Sequence, residues 1–281
     1  MKNFFNRILV PVVSDKELNG TITHAIELSN DLGCDLHLLH VQHTSELLAS
    51  IKWNWLWTES YLDPGADEQE LSAMTKCFRG SMADGLLLTA SGASGRWQMA
   101  LKEAVITHDI DLVLLPSRPG RQMELLGRIN INKLAQQTQC PVLTMSDFQG
   151  FQLQNIVVPI RDFLPLRKLT AATFLAKKFN GIVHLLGQTT QRQQKEGKST
   201  LCLTEAYQLL RNYTRVKVHC SMDKDGDMAQ ETLNYAREVQ ADLIVVNPGT
   251  ESRVGGFFRN WFRNGFTLQS NIPVLTIAPQ A

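Results

Sequence analysis

Glycine and arginine gather beside two short apolar runs. Pro116-Ser117-Arg118-Pro119-Gly120 follows the first run and Asn247-Pro248-Gly249-Thr250 the second. Arg118, Arg121 and Arg128 accompany one, and Arg253, Arg259 and Arg263 the other. Glycine lets backbone N–H groups come close to an anion, and a guanidinium fork pairs with phosphate, so phosphate binding is the chemistry such loops could perform. His37, His40 and His43 offer imidazoles along one apolar stretch and its exit, and they are expected to share a face, as a metal site would need. A strand buried on both faces makes structural histidines the better reading, so no metal is expected. Asp225-Gly226-Asp227 reads as a turn capping a helix that begins at Met228. Nothing resembles a nucleophile elbow, a Walker loop, a zinc helix motif or a carboxylate dyad, and no residue set argues for catalysis.

Two aromatic segments stand apart. Trp53, Trp55 and Trp57 could form a ligand platform, but such a cluster is expected to pack over a sheet. Residues 255–266, GGFFRNWFRNGF, interleave rings with cations as a membrane-facing or partner-facing segment would. The preferred expectation is that Phe and Trp fill a vacant cavity. The cysteines Cys34, Cys77, Cys140, Cys202 and Cys220 are scattered, with no Cys-x-x-Cys pair, and are expected to be buried free thiols of a reducing compartment.

The elements that must position these groups come in two copies. RILVPV at 7–12 returns as NIVVPI at 155–160, and AIELSNDLGCDLHLL at 25–39 as ATFLAKKFNGIVHLL at 172–186. DLVLL at 111–115 matches DLIVV at 242–246, and QTQCPVLT at 137–144 matches QSNIPVLT at 269–276. Four blocks in the same order identify a duplicated domain. Apolar runs rich in Val, Ile and Leu alternate with stretches of helical period, which predicts parallel sheets covered on both faces. Strands are expected at 8–13, 36–41, 86–89, 112–115 and 142–145, then at 156–160, 182–186, 216–220, 243–246 and 274–277. Helices are expected at 21–32, 45–57, 68–79, 96–108 and 129–137, then at 167–179, 200–213, 228–239 and 261–269. The domains divide as 1–148 and 149–281, across the polar connector 146–153.

With 43% hydrophobic and 20% charged residues the composition is that of a globular core, and a net charge of +1 gives no field for a nucleic acid. No apolar stretch reads as a signal peptide or membrane span, so a cytoplasmic protein is expected.

Ile-Leu-Val-Pro at the first strand, Leu-Leu-His-Val at the second, Asp-Leu-Val-Leu-Leu before a Ser/Gly loop and Cys-Pro-Val-Leu at the last strand resemble the universal stress protein family, once in each half. The resemblance implies two tandem, doubly wound α/β domains, each with five parallel strands in the order 3-2-1-4-5. It also implies a pseudo-dimer made through the last strands, at 141–145 and 273–277. Many members of that family bind ATP or AMP where the strand order reverses, using an Asp soon after the first strand and a glycine loop after the fourth. Here the Asp position falls on Val13 and Arg161, with Asp162 one residue late. The loop positions fall on Ser117, Arg118, Gly120, Gly127, Arg128 and Asn130 in the first half, and on Gly249 and Arg253 in the second. Losing one charge-assisted hydrogen bond costs about 1.5–3 kcal/mol, roughly tenfold to a hundredfold in affinity. The expectation is therefore a non-enzymatic stress-linked regulator or scaffold with vestigial nucleotide crevices. Its partner would be a protein or small ligand, and further homo-oligomers are allowed. The alternative is a member that binds ATP or AMP and hydrolyses ATP slowly.

Overall fold

The computed structural model describes residues 4–12, 18–42, 72–73, 75–116, 129–145, 152–189, 198–224, 227–249, 251 and 272–279. The chain forms two compact units, one of residues 1–115 and 119–129, the other of 116–118 and 130–281. The first unit contains β1 (Arg7–Val12), α1 (Leu18–Leu32), β2 (Asp35–Gln42), β3 (Leu88–Ser94), α2 (Trp97–Thr107) and β4 (Leu112–Pro116). The second contains α3 (Ile131–Thr138), β5 (Val142–Met145), β6 (Asn155–Ile160), α4 (Leu166–Phe179), β7 (Ile182–Thr189), α5 (Lys198–Tyr213), β8 (Lys217–Lys224), α6 (Met228–Glu238), β9 (Leu243–Val246) and β10 (Val274–Thr276).

Within the first unit β2, β1 and β4 lie side by side, with β3 beyond β2, and every pairing is parallel. The second unit runs β5-β10-β9-β6-β7-β8. Counted within the second repeat, β6 to β10 reproduce the expected order 3-2-1-4-5, with parallel ladders throughout. The expected last-strand contact is also present. Antiparallel β5 and β10 set Thr144 opposite Val274, Leu143 opposite Leu275 and Val142 opposite Thr276. The Thr144 hydroxyl adds a side-chain hydrogen bond to the Val274 carbonyl at 3.2 Å.

Central strands bury both faces, which explains their unbroken apolar runs: Ile8, Leu9 and Val10 are inaccessible, as are Ile156, Val157 and Val158. The outer strands differ. β3 (LTASGAS) and β8 (KVHCSMDK) are longer than expected and largely exposed or half-buried. Each meets a described neighbour on one side, so small and polar residues suffice and no apolar run marks the strand.

The duplication preserves one local device. Asp111 Oδ2 accepts from the backbone N–H groups of Asn6 and Arg7 at 2.9 and 3.3 Å, while Asp242 Oδ2 accepts from those of Gln154 and Asn155 at 2.8 Å each. In each repeat the Asp before the fourth strand thus ties down the start of the first. Another position has diverged. Cys34, buried before β2, donates its thiol to the Phe5 carbonyl at 3.2 Å. Its counterpart Gly181 lies so close to Leu153 that a Cβ would come within 2.1 Å of the Leu153 carbonyl oxygen.

Two sequence expectations need correction. His37 is buried and His40 only partly so, because residues three apart on a period-two strand face opposite sides; His43 lies outside the described residues. Among the described residues, no three His, Cys, Asp or Glu side chains come together as a metal site would require. All the cysteines are free, but only Cys34 and Cys140 are buried, while Cys77 and Cys220 are exposed and Cys202 is intermediate. The exposed thiols stand on an outer strand (Cys220) and in the short helical segment before the Arg79–Ser81 turn (Cys77), where no core closes over them. Asp227 does cap α6, its side chain accepting from Ala229 N at 3.2 Å. Among the described residues no helix is long and apolar enough to cross a membrane.

The strand-two histidines are buried neutral imidazoles. His37 Nδ1 and Nε2 meet the hydroxyls of Thr89 and Ser91 at 2.8 and 2.9 Å, and its ring stacks on His108 at 4.0 Å. Arg7, which bonds the His108 carbonyl and pairs with Asp35, adds a positive charge nearby. Burial first, then His108 and Arg7, pull the His37 pKa from 6.5 down to about 4. In the second repeat His184 Nε2 faces Asn155 Oδ1 at 3.1 Å, so that nitrogen carries the proton and Nδ1 accepts from Tyr235 Oη at 3.3 Å. Burial and neighbouring His219 lower its pKa as well.

Two measurements test this packing. Gly181→Ala should lower stability by about 1–3 kcal/mol or more in urea titrations, because the obstacle is backbone and cannot rotate away. A histidine with a depressed folded-state pKa contributes stability that is intact above 6.5 and is lost as the pH falls toward about 4. For His37 the full loss is roughly 3 kcal/mol. Between pH 7 and pH 5 the urea midpoint should fall, and it should fall less in His37→Gln.

Candidate functional site

In an open α/β sheet, loops at the carboxyl ends of the strands converge on the crevice where strand order reverses. In the second repeat that place lies between β6 and β9. β6 ends at Ile160 and passes into Arg161 and Asp162, while β9 ends at Val246 and passes into Asn247, Pro248 and Gly249. Gly249 has φ +117, a conformation L side chains rarely adopt, and nothing lies within 4 Å of where its Cβ would be. The chain turns there and brings Glu251 back beneath the strand ends.

Glu251 is 5% exposed and Lys168, in the first turn of α4, is 0% exposed. Lys168 Nζ donates to Glu251 Oε2 at 2.7 Å and to the Pro159 carbonyl at 2.5 Å. The same Oε2 accepts from Asn247 N at 2.7 Å. One carboxylate oxygen therefore joins the end of β9, the first turn of α4 and, through the ammonium, the end of β6. Burial drives the Lys168 pKa below the ordinary lysine value, and the adjacent Glu251 charge and hydrogen bond oppose that fall.

Polar groups brace the surroundings. Asn247 Nδ2 donates to the Ile277 carbonyl at 2.9 Å, linking the ends of β9 and β10. Asn247 Oδ1 and Thr276 Oγ1 are buried with no hydrogen-bond partner among the described residues. The Arg167 guanidinium reaches the Ala278 carbonyl at 3.0 Å and the Gln139 carbonyl at 2.7 Å, which fixes the segment entering β5 against α4.

Three residues expected at the crevices are described. Arg161 stands directly past β6, its Nε 3.6 Å from Asp162 Oδ2. Gly249 forms the turn after β9. Asn130 caps α3, its side chain accepting from Lys133 N at 2.9 Å. Val13, Ser117, Arg118, Gly120, Gly127, Arg128 and Arg253 lie outside the described residues, as do Arg121, Arg259, Arg263, the tryptophans at 53, 55 and 57, and the aromatic segment 255–266.

Sequence reasoning missed Lys168 and Glu251. A faint signal was available, since Lys168 sits beside Leu169, Ala171 and Ala172 on a helix whose neighbouring positions are buried. Aligned through the DLVLL and DLIVV blocks, Glu251 also falls where the first repeat has Gly120. A charged residue in place of a loop glycine signals a side chain filling what backbone left open.

Among solved structures, a universal stress protein from Archaeoglobus fulgidus superposes with TM-score 0.62 at 13% identity, covering 99% of this chain and 98% of its own. A functionally unknown protein from Pseudomonas aeruginosa PAO1 gives 0.61 at 15% identity, with 98% and 93% covered. A putative universal stress protein from Pseudomonas aeruginosa UCBPP-PA14 gives 0.60 at 14%, with 98% and 94% covered. At such identities the likeness is one of fold. No curated protein matches the sequence significantly. The sequence profile of the universal stress protein family matches residues 4–145, and the second half repeats the same motifs in the same order. The chain belongs to the universal stress protein family.

Proposed function

We propose that this protein is a non-enzymatic regulatory or scaffold member of its family, binding a partner or small ligand, with ATP binding weak or absent. The observation that carries this reading is the Lys168–Glu251 pair. It occupies, with the chain's own charges, the strand-end region of the second repeat where a nucleotide would need open backbone. Arg161 at the position of the family's acidic residue points the same way, since a cation cannot accept the hydrogen bonds a nucleoside offers. The rival reading, an ATP- or AMP-binding and slowly hydrolysing member, draws support from Gly249, whose open, positive-φ backbone suits close approach to a phosphate.

Calorimetric titration of the full chain with magnesium ATP and with AMP should show no micromolar binding. A micromolar site would favour the rival, and so would ATP turnover abolished by changing Arg128 or Arg253. The pair itself can be weighed by a double-mutant cycle. Removing one partner strands a buried charge, so Lys168→Met should cost about 3–5 kcal/mol, and Lys168→Met with Glu251→Leu should recover much of that loss. Urea denaturation of the parent and the three variants measures both.

A further inference from the structure

We infer that Glu251 is a tethered ligand: the second repeat keeps a small-oxyanion site, made by Lys168 Nζ and the Asn247 backbone N–H, and closes it with its own carboxylate. The donors define the ligand class. An ammonium and a backbone N–H converge on one oxygen at 2.7 Å each, the short charge-assisted geometry that carboxylate and phosphate oxygens accept alike. The enclosure is complete, with Lys168 wholly inaccessible and Glu251 nearly so, so the donors are unavailable to solvent anions while the carboxylate is in place. The tether is local. Glu251 Oε2 bonds the backbone of Asn247 in the same loop, and the positive-φ turn at Gly249 brings it there. A residue held this close competes at high effective concentration, so a free anion cannot displace it without additional contacts. The first repeat has Gly120 at the aligned position and Thr21 at the position of Lys168, so both halves of this charge pair are particular to the second.

The inference rests on reading this crevice as self-filled, yet the two can fail separately. Glu251→Gly, which copies the residue of the first repeat, should be less stable than the parent. Sodium acetate or inorganic phosphate, at ionic strength matched with sodium chloride, should then restore stability saturably. At an anion concentration a hundred times its Kd, the folding equilibrium constant should rise about a hundredfold. The parent and the Lys168→Met/Glu251→Gly double variant should show no such rise. If Glu251→Gly does not fold in chloride, refolding in acetate or phosphate but not in chloride supports the site, and failure in all three overturns it. No response to either anion in a folded Glu251→Gly, or an equal response in the double variant, also overturns it. Micromolar ATP binding by the parent would instead sink the proposed function and leave the anion result standing.

Discussion

A fully buried ammonium ion needs a compensating anion, and in the second repeat that requirement draws together elements distant in the chain. Lys168 cannot stay charged at 0% exposure on the Pro159 carbonyl alone, because desolvating an isolated cation costs several kcal/mol. Glu251 supplies the counter-charge and, through Asn247 N, anchors the loop after β9. The Asn247 side chain carries the constraint on to the segment beyond β10. The strand ends between which a family member would hold a ligand are here held by one internal network.

The two repeats show how a duplicated domain diverges without losing its frame. Asp111 and Asp242 do the same work, capping two backbone N–H groups at the start of a strand, and losing either carboxylate would take that partner from both groups. His37 and His184 persist too, but each lies near a second imidazole from a different element. That is His108 at the end of α2 in one repeat, and His219 on the neighbouring strand β8 in the other. Cys34 and Gly181 mark a different freedom, in which the second repeat brings its backbone closer to Leu153 and has no space for any side chain. Strand starts and core positions hold because they satisfy the sheet, while the loops past the strand ends are where charge and volume have changed.

Edge strands show where local pattern gives out. Period and apolar runs located β1, β4, β6 and β9, which are buried on both faces and bear the run that says so. β3 and β8 were placed too short, because a half-exposed outer strand is made of residues that also suit loops. The histidine expectation failed by phase, since a spacing of three alternates faces on a strand. The cysteine expectation failed because burial belongs to the assembled core and not to residue type.

The sequence by itself determined the α/β class, the duplication and the family, because each is written in short motifs that repeat in order, and the pairing of β5 with β10 followed from the family resemblance. It also marked the strand ends as the place where Val13 and Arg161 stand at the positions of the family's Asp. Only the tertiary structure decided what joins the strand ends of the second repeat. Lys168 and Glu251 are 83 residues apart, and no local periodicity links them. Two long charged side chains read as solvated surface until the sheet folds, excludes water from between them and leaves each the other's partner.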